Sequence, residues 1–239
     1  MPRFPDQMKR WSRPENVVKP FDWSLTGPVR RLRGDIQELI LFPILRAVVR
    51  LRVENKEHLQ DLDGPVVIVA NHTSHFDCPI VLAALPYRIR TRTIVAAAAD
   101  YFYRTKALGA LTSLALGTVP FEREGSRESL DRLKEGIRRG WSVLIFPEGT
   151  RSKTGKMRRF RAGASYLCVD TRCAALPILI KGAFDIMPKG RKFPRPGKVT
   201  VRFGRPVGPR PDDDYESMNE RIYEAMLELG SEAEGGPAG

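Results

Sequence analysis

A chain of 239 residues, 42% hydrophobic and 28% charged, is long enough for one α/β domain with a sizeable core and too apolar to be disordered. Its formal charge of +12 is uneven: Asp212 to Gly239 carries nine carboxylates and one arginine, leaving about +20 on the residues before it. Such a body suits anionic lipid, nucleic acid, phosphorylated small molecules or an acidic carrier protein, and composition does not choose among them.

Cys78, Cys168 and Cys173 form no C-x-x-C pair, so a reducing compartment fits better than a disulfide framework. Met1 to Lys19 is polar and proline-rich, without the apolar core of a secretory leader, and no stretch reaches the roughly 18 apolar residues of a spanning helix.

Residues 1–34, with Pro2, Pro5, Pro14, Pro20 and Pro28, read as an irregular basic arm. Residues 35–52 follow as a separate segment, with a helix expected over Ile36–Leu51 and kinked at Pro43. Leu39, Ile40 and Ile44 give this helix an apolar side, while Arg46 and Arg50, four apart, are placed to meet lipid phosphates at an interface. A core helix with a solvated arginine side fits the same pattern.

Strand–helix alternation then sets in. Strands are expected at Val66–Ala70, Thr93–Ala97, Thr118–Phe121, Val143–Phe146, Ala175–Ile180 and Lys198–Phe203. Helices are expected near Pro79–Leu85, Lys106–Leu116, Ser126–Arg139 and Ala162–Thr171. Residues 211–239 read as an acidic helix over Asp213–Leu229, opened by an aspartate-rich cap, and a loose tail. The pattern predicts a single α/β domain over residues 53–210, with a mixed, largely parallel sheet flanked by helices, plus the N-terminal interfacial helical segment.

The densest polar cluster is Asn71-His72-Thr73-Ser74-His75-Phe76-Asp77, at the carboxyl end of the first strand, where open α/β sheets bind ligands. The five-residue spacing of His72 and Asp77 suits a turn whose aspartate folds back from the start of the next helix. Three readings compete: a capping turn, a metal site from His72, His75 and Asp77, and an acid–base pair in which Asp77 orients His72. Only His58 remains as a further histidine, which disfavours metal, and no G-x-S-x-G elbow exists for a serine hydrolase.

About seventy residues later, the apolar run Val143 to Phe146 enters Pro147-Glu148-Gly149-Thr150-Arg151-Ser152. A Gly/Thr/Arg turn at a strand end offers backbone N–H groups, a hydroxyl and a guanidinium to an oxyanion or phosphate. Together the two clusters resemble the glycerolipid acyltransferase family, with N-H-x-x-x-x-D at Asn71, His72 and Asp77 and F-P-E-G-T-R-S at Phe146 to Ser152. Gly117, Phe121, Glu122 and Arg123 resemble its second motif, with Glu122 where Asp is usual. Phe160-Arg161-Ala162-Gly163 and Leu176-Pro177-Ile178 resemble weaker elements further on.

The resemblance implies an O-acyltransferase with His72 as general base, held by Asp77. It also implies acceptor-phosphate contacts from Arg123, Glu148, Gly149, Thr150 and Arg151. Glu148 is read as an orienter of Arg123 or Arg151, or as an acceptor from the glycerol hydroxyl; Phe146, Pro147 and Pro177 fall to the acyl-donor or acyl-chain region. No metal and no bound cofactor is implied, because the acyl-CoA or acyl carrier protein thioester is a co-substrate. The implied acceptor is lysophosphatidate, with another lysophospholipid, a lyso-aminolipid or a glycolipid precursor as alternatives. A basic module binding membrane or nucleic acid without catalysis is the distant rival. His75 fits no catalytic role, and Lys153, Lys156, Arg158, Arg159 and Arg161 form a basic run beyond the third motif. The expected location is the cell membrane, peripheral or monotopic on the cytoplasmic face, with an anionic membrane surface and no nucleic acid as partner.

Overall fold

A computed structural model describes residues 21–60, 62–122, 126–191 and 193–231. In chain order its helices are α1 (Phe21–Leu25), α2 (Gly27–Ile36), α3 (Phe42–Val48), α4 (Asp77–Ala84), α5 (Tyr87–Arg90), α6 (Ala99–Phe102), α7 (Lys106–Leu116), α8 (Arg127–Arg138), α9 (Gly163–Thr171), α10 (Ala183–Ile186) and α11 (Tyr215–Ser231). Its strands are β1 (Val49–Glu54), β2 (Val67–Ala70), β3 (Thr93–Ala98), β4 (Thr118–Phe121), β5 (Ser142–Ile145), β6 (Ala175–Lys181) and β7 (Gly197–Phe203). The expected strands, and the expected helices from Pro79 onward, all form within a residue or two of their sequence bounds.

One seven-stranded sheet has the order β1-β7-β6-β2-β5-β3-β4. β6, β2, β5, β3 and β4 are parallel neighbours; β7 runs antiparallel to β6, and β1 is parallel to β7. β2 and β5 are buried along their whole length, which is why Val67-Ile68-Val69-Ala70 and Val143-Leu144-Ile145 are continuously apolar. On one face Ile68, Ala70, Leu144 and Ile178 pack with α4 and α10. On the other, Val67, Val69, Val143 and Ile145 pack with α8, α9 and α11. The acidic terminal helix belongs to this second layer, burying Met218, Ile222, Met226 and Leu229 along one side. Asp214 caps it as expected, Oδ1 accepting from the N–H groups of Glu216 (3.0 Å) and Ser217 (2.8 Å).

The N-terminal reading needs correction. The part of the arm that is described, from Phe21, is helical, and Pro28 stands in the first turn of α2, where its missing N–H costs nothing. The helix expected to reach Leu51 stops at Val48. Val49-Arg50-Leu51-Arg52-Val53-Glu54 alternates with period two and joins the sheet beside β7. Arg50 is therefore on a strand and shares no helix face with Arg46, and residues 35–52 are not separate from the α/β domain. Pro43 opens α3 directly after a π turn, Gln37–Leu41, whose wider winding accommodates a residue without a backbone donor.

Phe42 and Leu45 are buried in the main core, while Leu39 (76%), Ile40 (56%) and Ile44 (61%) are exposed. Deep anchors hold this segment down. Arg33, 1% exposed, donates from Nε to the carbonyl of Leu114 (3.3 Å) and from Nη2 to that of Ser24, and Gln37 donates to Ala115 (2.9 Å). Arg33 Nε and Gln37 thereby serve the last carbonyls of α7, which no turn of helix follows, and Arg33 Nη2 ties α1 to the same point. Burial lowers the pKa of Arg33 to about 10. Gly117 explains itself here: its φ is +70°, and a Cβ would lie 3.0 Å from the Thr93 carbonyl and 3.2 Å from Arg33 Nη1.

Candidate active site

After β2 the chain turns into α4 on one face of the sheet. After the neighbouring β5 it leads to α9 on the opposite face. The two connections part at the carboxyl ends of adjacent strands, opening the crevice in which α/β sheets place their ligands. His72 stands at one lip and the Phe146–Ser152 turn at the other.

Each part of the first motif has a defined position. Asn71, buried, clamps the strand end to β6: its Oδ1 accepts from Ile180 N (2.7 Å) and its Nδ2 donates to Ile180 O (3.0 Å). Asp77, fully buried at the first turn of α4, folds back as expected. Its Oδ2 accepts from His72 Nδ1 (2.9 Å), Thr73 N (2.6 Å) and Ser74 N (2.8 Å). The capping reading and the acid–base reading thus describe the same carboxylate. Because the carboxylate only accepts, Nδ1 carries the proton, and no described residue hydrogen-bonds Nε2. The imidazole is further fixed by the Phe146 ring, stacked at 4.3 Å between centroids.

Glu148 locks the two motifs together. Its Oε1 accepts from His72 N (2.7 Å) and its Oε2 from Arg158 N (3.1 Å), while Ser152 N donates to the His72 carbonyl (2.8 Å). Both peptide groups of the histidine are thereby tied to the third-motif turn. Glu148 is 3% exposed, and burial pushes its pKa up to about 7, although the two N–H donors pull the other way. The family resemblance implied that Glu148 orients an arginine or accepts from substrate; in the structure its carboxylate accepts from backbone.

Gly149 has φ +71°, and a Cβ there would meet Arg161 Nε at 2.8 Å, so the guanidinium of Arg161 lies directly over the turn. Arg151 sits 6.0 Å from the Tyr101 ring centroid and close enough to His75 to depress it electrostatically. The pKa of His75 is lowered by burial first, then by Arg151 and His72, and its backbone N–H donates to the Met187 carbonyl (3.3 Å). Pro147 is buried under the turn. Pro177 does not reach the crevice: it is buried mid-strand in β6 opposite Val69, with its carbonyl accepting from Gly204 N (2.8 Å). Arg123 lies outside the described residues.

Sequence reading left two functions unassigned, the Asn71 clamp and the Phe146 stack; Ser74, which the capping-turn reading had satisfying backbone groups, does so, its Oγ donating to Met187 O at 3.0 Å. Only Asn71 carried a signal, as a buried-strand amide placed where a side chain meets the next strand. Among the described residues, no group of three His, Cys, Asp or Glu is placed to hold a metal ion.

Known proteins resemble this chain in sequence and in fold. The 1-acyl-sn-glycerol-3-phosphate acyltransferase LPAT1, chloroplastic, of Arabidopsis thaliana is 31% identical over 183 residues, which is 74% of this chain and 49% of that protein. The 1-acyl-sn-glycerol-3-phosphate acyltransferase alpha of Mus musculus is 26% identical over 188 residues, covering 76% and 64% respectively. This chain spans about half the length of the first curated relatives it matches. The crystal structure of the 1-acyl-sn-glycerophosphate acyltransferase PlsC from Thermotoga maritima shares the fold, with a TM-score of 0.66 at 23% identity over 89% of this chain and 80% of that one. The model of the Acyltransferase family matches residues 50–181, from β1 through the His72–Asp77 turn and the Glu148 turn to the end of β6, and the chain belongs to that family.

Proposed function

We propose that the protein moves a fatty acyl group from an acyl-CoA or acyl carrier protein thioester to the free hydroxyl of 1-acylglycerol-3-phosphate, giving phosphatidate for phospholipid biosynthesis. The observation that carries the reading is the His72 Nδ1–Asp77 bond of 2.9 Å, with Asp77 at zero exposure and Nε2 left to the substrate. Nε2 takes the hydroxyl proton as oxygen attacks the thioester carbonyl. The new C–O bond forms, the C–S bond breaks, and the proton passes to the departing thiolate. Base help of this type contributes about 10²–10⁴-fold, so positioning must supply the rest. The thioester is a substrate, and no resident cofactor enters the scheme.

Arg151, Gly149 and Thr150, with Arg123, are assigned to the acceptor's phosphate, and the exposed Lys153, Lys156, Arg158 and Arg159 to drawing in the donor's phosphates. Membrane docking belongs to the exposed side of the N-terminal helical segment, Leu39, Ile40 and Ile44, with Arg46 toward anionic lipid on the cytoplasmic face. No helix among the described residues is long and apolar enough to cross a membrane. The test is thiol release from palmitoyl-CoA with lysophosphatidate, plain monoacylglycerol and other lysophospholipids as acceptors. Lysophosphatidate should be preferred, and Arg151→Ala should raise its KM about ten- to a hundredfold with little change for the donor. Equal turnover of monoacylglycerol contradicts the acceptor assignment.

A further inference from the structure

The loop between α10 and β7 carries Lys189, Arg191, Phe193 and Arg195, in a stretch from Ile186 to Pro211 without one acidic residue. Phe193 is 79% exposed, more than any other large apolar side chain among the described residues. Both ends of the loop are fixed. Met187, at its start, accepts through its carbonyl from Ser74 Oγ (3.0 Å) and His75 N (3.3 Å), within the catalytic turn. Near its end, Arg195 N donates to Ile186 O (2.9 Å), and Gly197 pairs with Val49, the residue at which α3 gives way to β1. Next along this pair, Arg50 and Lys198 are register partners and both exposed.

The loop therefore bridges the active site and the carboxyl end of the N-terminal helical segment, whose Ile44 is also exposed. A phenyl ring held in water beside two prolines gains no packing within the fold, and the prolines limit the entropy lost on docking. An exposed aromatic ring amid basic side chains, on a loop joined through Gly197 and Val49 to the end of a helix with exposed apolar residues, matches an anionic bilayer in both chemistry and charge.

We propose that residues 189–191 and 193–196 form a second membrane contact, with Phe193 entering the acyl-chain region and Lys189 and Arg195 meeting lipid phosphates. The mouth of the His72 crevice is then held to lipid from two sides. This rests on the interfacial reading above, and its test separates the two. A Phe193→Cys full-length chain carries an environment-sensitive dye at position 193; the native thiols label poorly because burial pushes Cys78 up to about 12 and Cys173 to about 11, and raises Cys168 as well.

With vesicles of phosphatidylglycerol and phosphatidylcholine, the emission should shift to the blue and be quenched by chain-brominated lipid. Phe193→Ser with Arg195→Ser should weaken vesicle partition about 25-fold, about fivefold for the charge and at least as much for the ring. A protein that sediments with the vesicles while its dye stays in water overturns the proposal and leaves docking to the N-terminal helices. A dye that shifts with acidic carrier protein but not with vesicles also overturns it, making the loop a protein contact. No sedimentation at all refutes the interfacial reading along with it.

Discussion

Replacing Asp77 by asparagine separates the two tasks of that carboxylate. A single oxygen, Oδ2, accepts from three donors, His72 Nδ1 at 2.9 Å and the N–H groups of Thr73 and Ser74 at 2.6 and 2.8 Å. An asparagine must present its oxygen to that cluster, because the amide NH₂ there would face two fixed backbone donors. The histidine consequently keeps its tautomer, and what is lost is the negative charge opposite the imidazolium that forms during attack. Two unit charges about 4 Å apart at an effective dielectric of about 20 interact by about 4 kcal/mol, an upper figure equivalent to about a thousandfold in rate. Asp77→Asn should therefore keep a melting temperature near wild type while kcat falls by about 10²–10³-fold.

Asp77→Ala removes the only acceptor described for two buried amides as well, at about 1–3 kcal/mol each, and should lower the melting temperature besides abolishing turnover. Thiol release with lysophosphatidate, alongside thermal unfolding, measures both effects. Wild-type kcat in a folded Asp77→Asn protein refutes the electrostatic argument, and a collapse of stability equal to that of Asp77→Ala refutes the orientation argument.

The remaining expectations concern neighbouring groups. His72→Ala should be inactive and His75→Ala substantially active, as read by the same assay; inactivity of a folded His75→Ala would move the base to His75. Glu148 has a folded pKa raised from 4.5 to about 7, so its stabilising contribution is full below pH 4.5 and is lost as pH rises through about 7. Wild-type stability should accordingly fall over that window, by on the order of 3 kcal/mol at most, a dependence missing in Glu148→Gln. Gly117→Ala, at φ +70° and 3.0 Å from the Thr93 carbonyl, should cost about 1–3 kcal/mol and disturb Arg33, seen as a lower melting temperature.

Local pattern alone determined much of this protein. Fully apolar runs such as Val67–Ala70, bounded by turn residues, are strands because a parallel sheet covered on both faces demands them, and the terminal helix shows its cap in Asp213 and Asp214. His72 and Asp77 were legible because one turn contains both. Tertiary structure decided the rest, where competing patterns or distant partners were involved. Val49-Arg50-Leu51 satisfied a helical and a two-residue period alike, and only the free edge of β7 selected the strand. Glu148 lies 76 residues from His72, and only the pairing of β2 with β5 brings its carboxylate to the histidine's backbone. Its burial, its raised pKa and its bridging role follow from that pairing, because desolvation and hydrogen-bond partners are properties of the assembled crevice and not of the segment that supplies the residue.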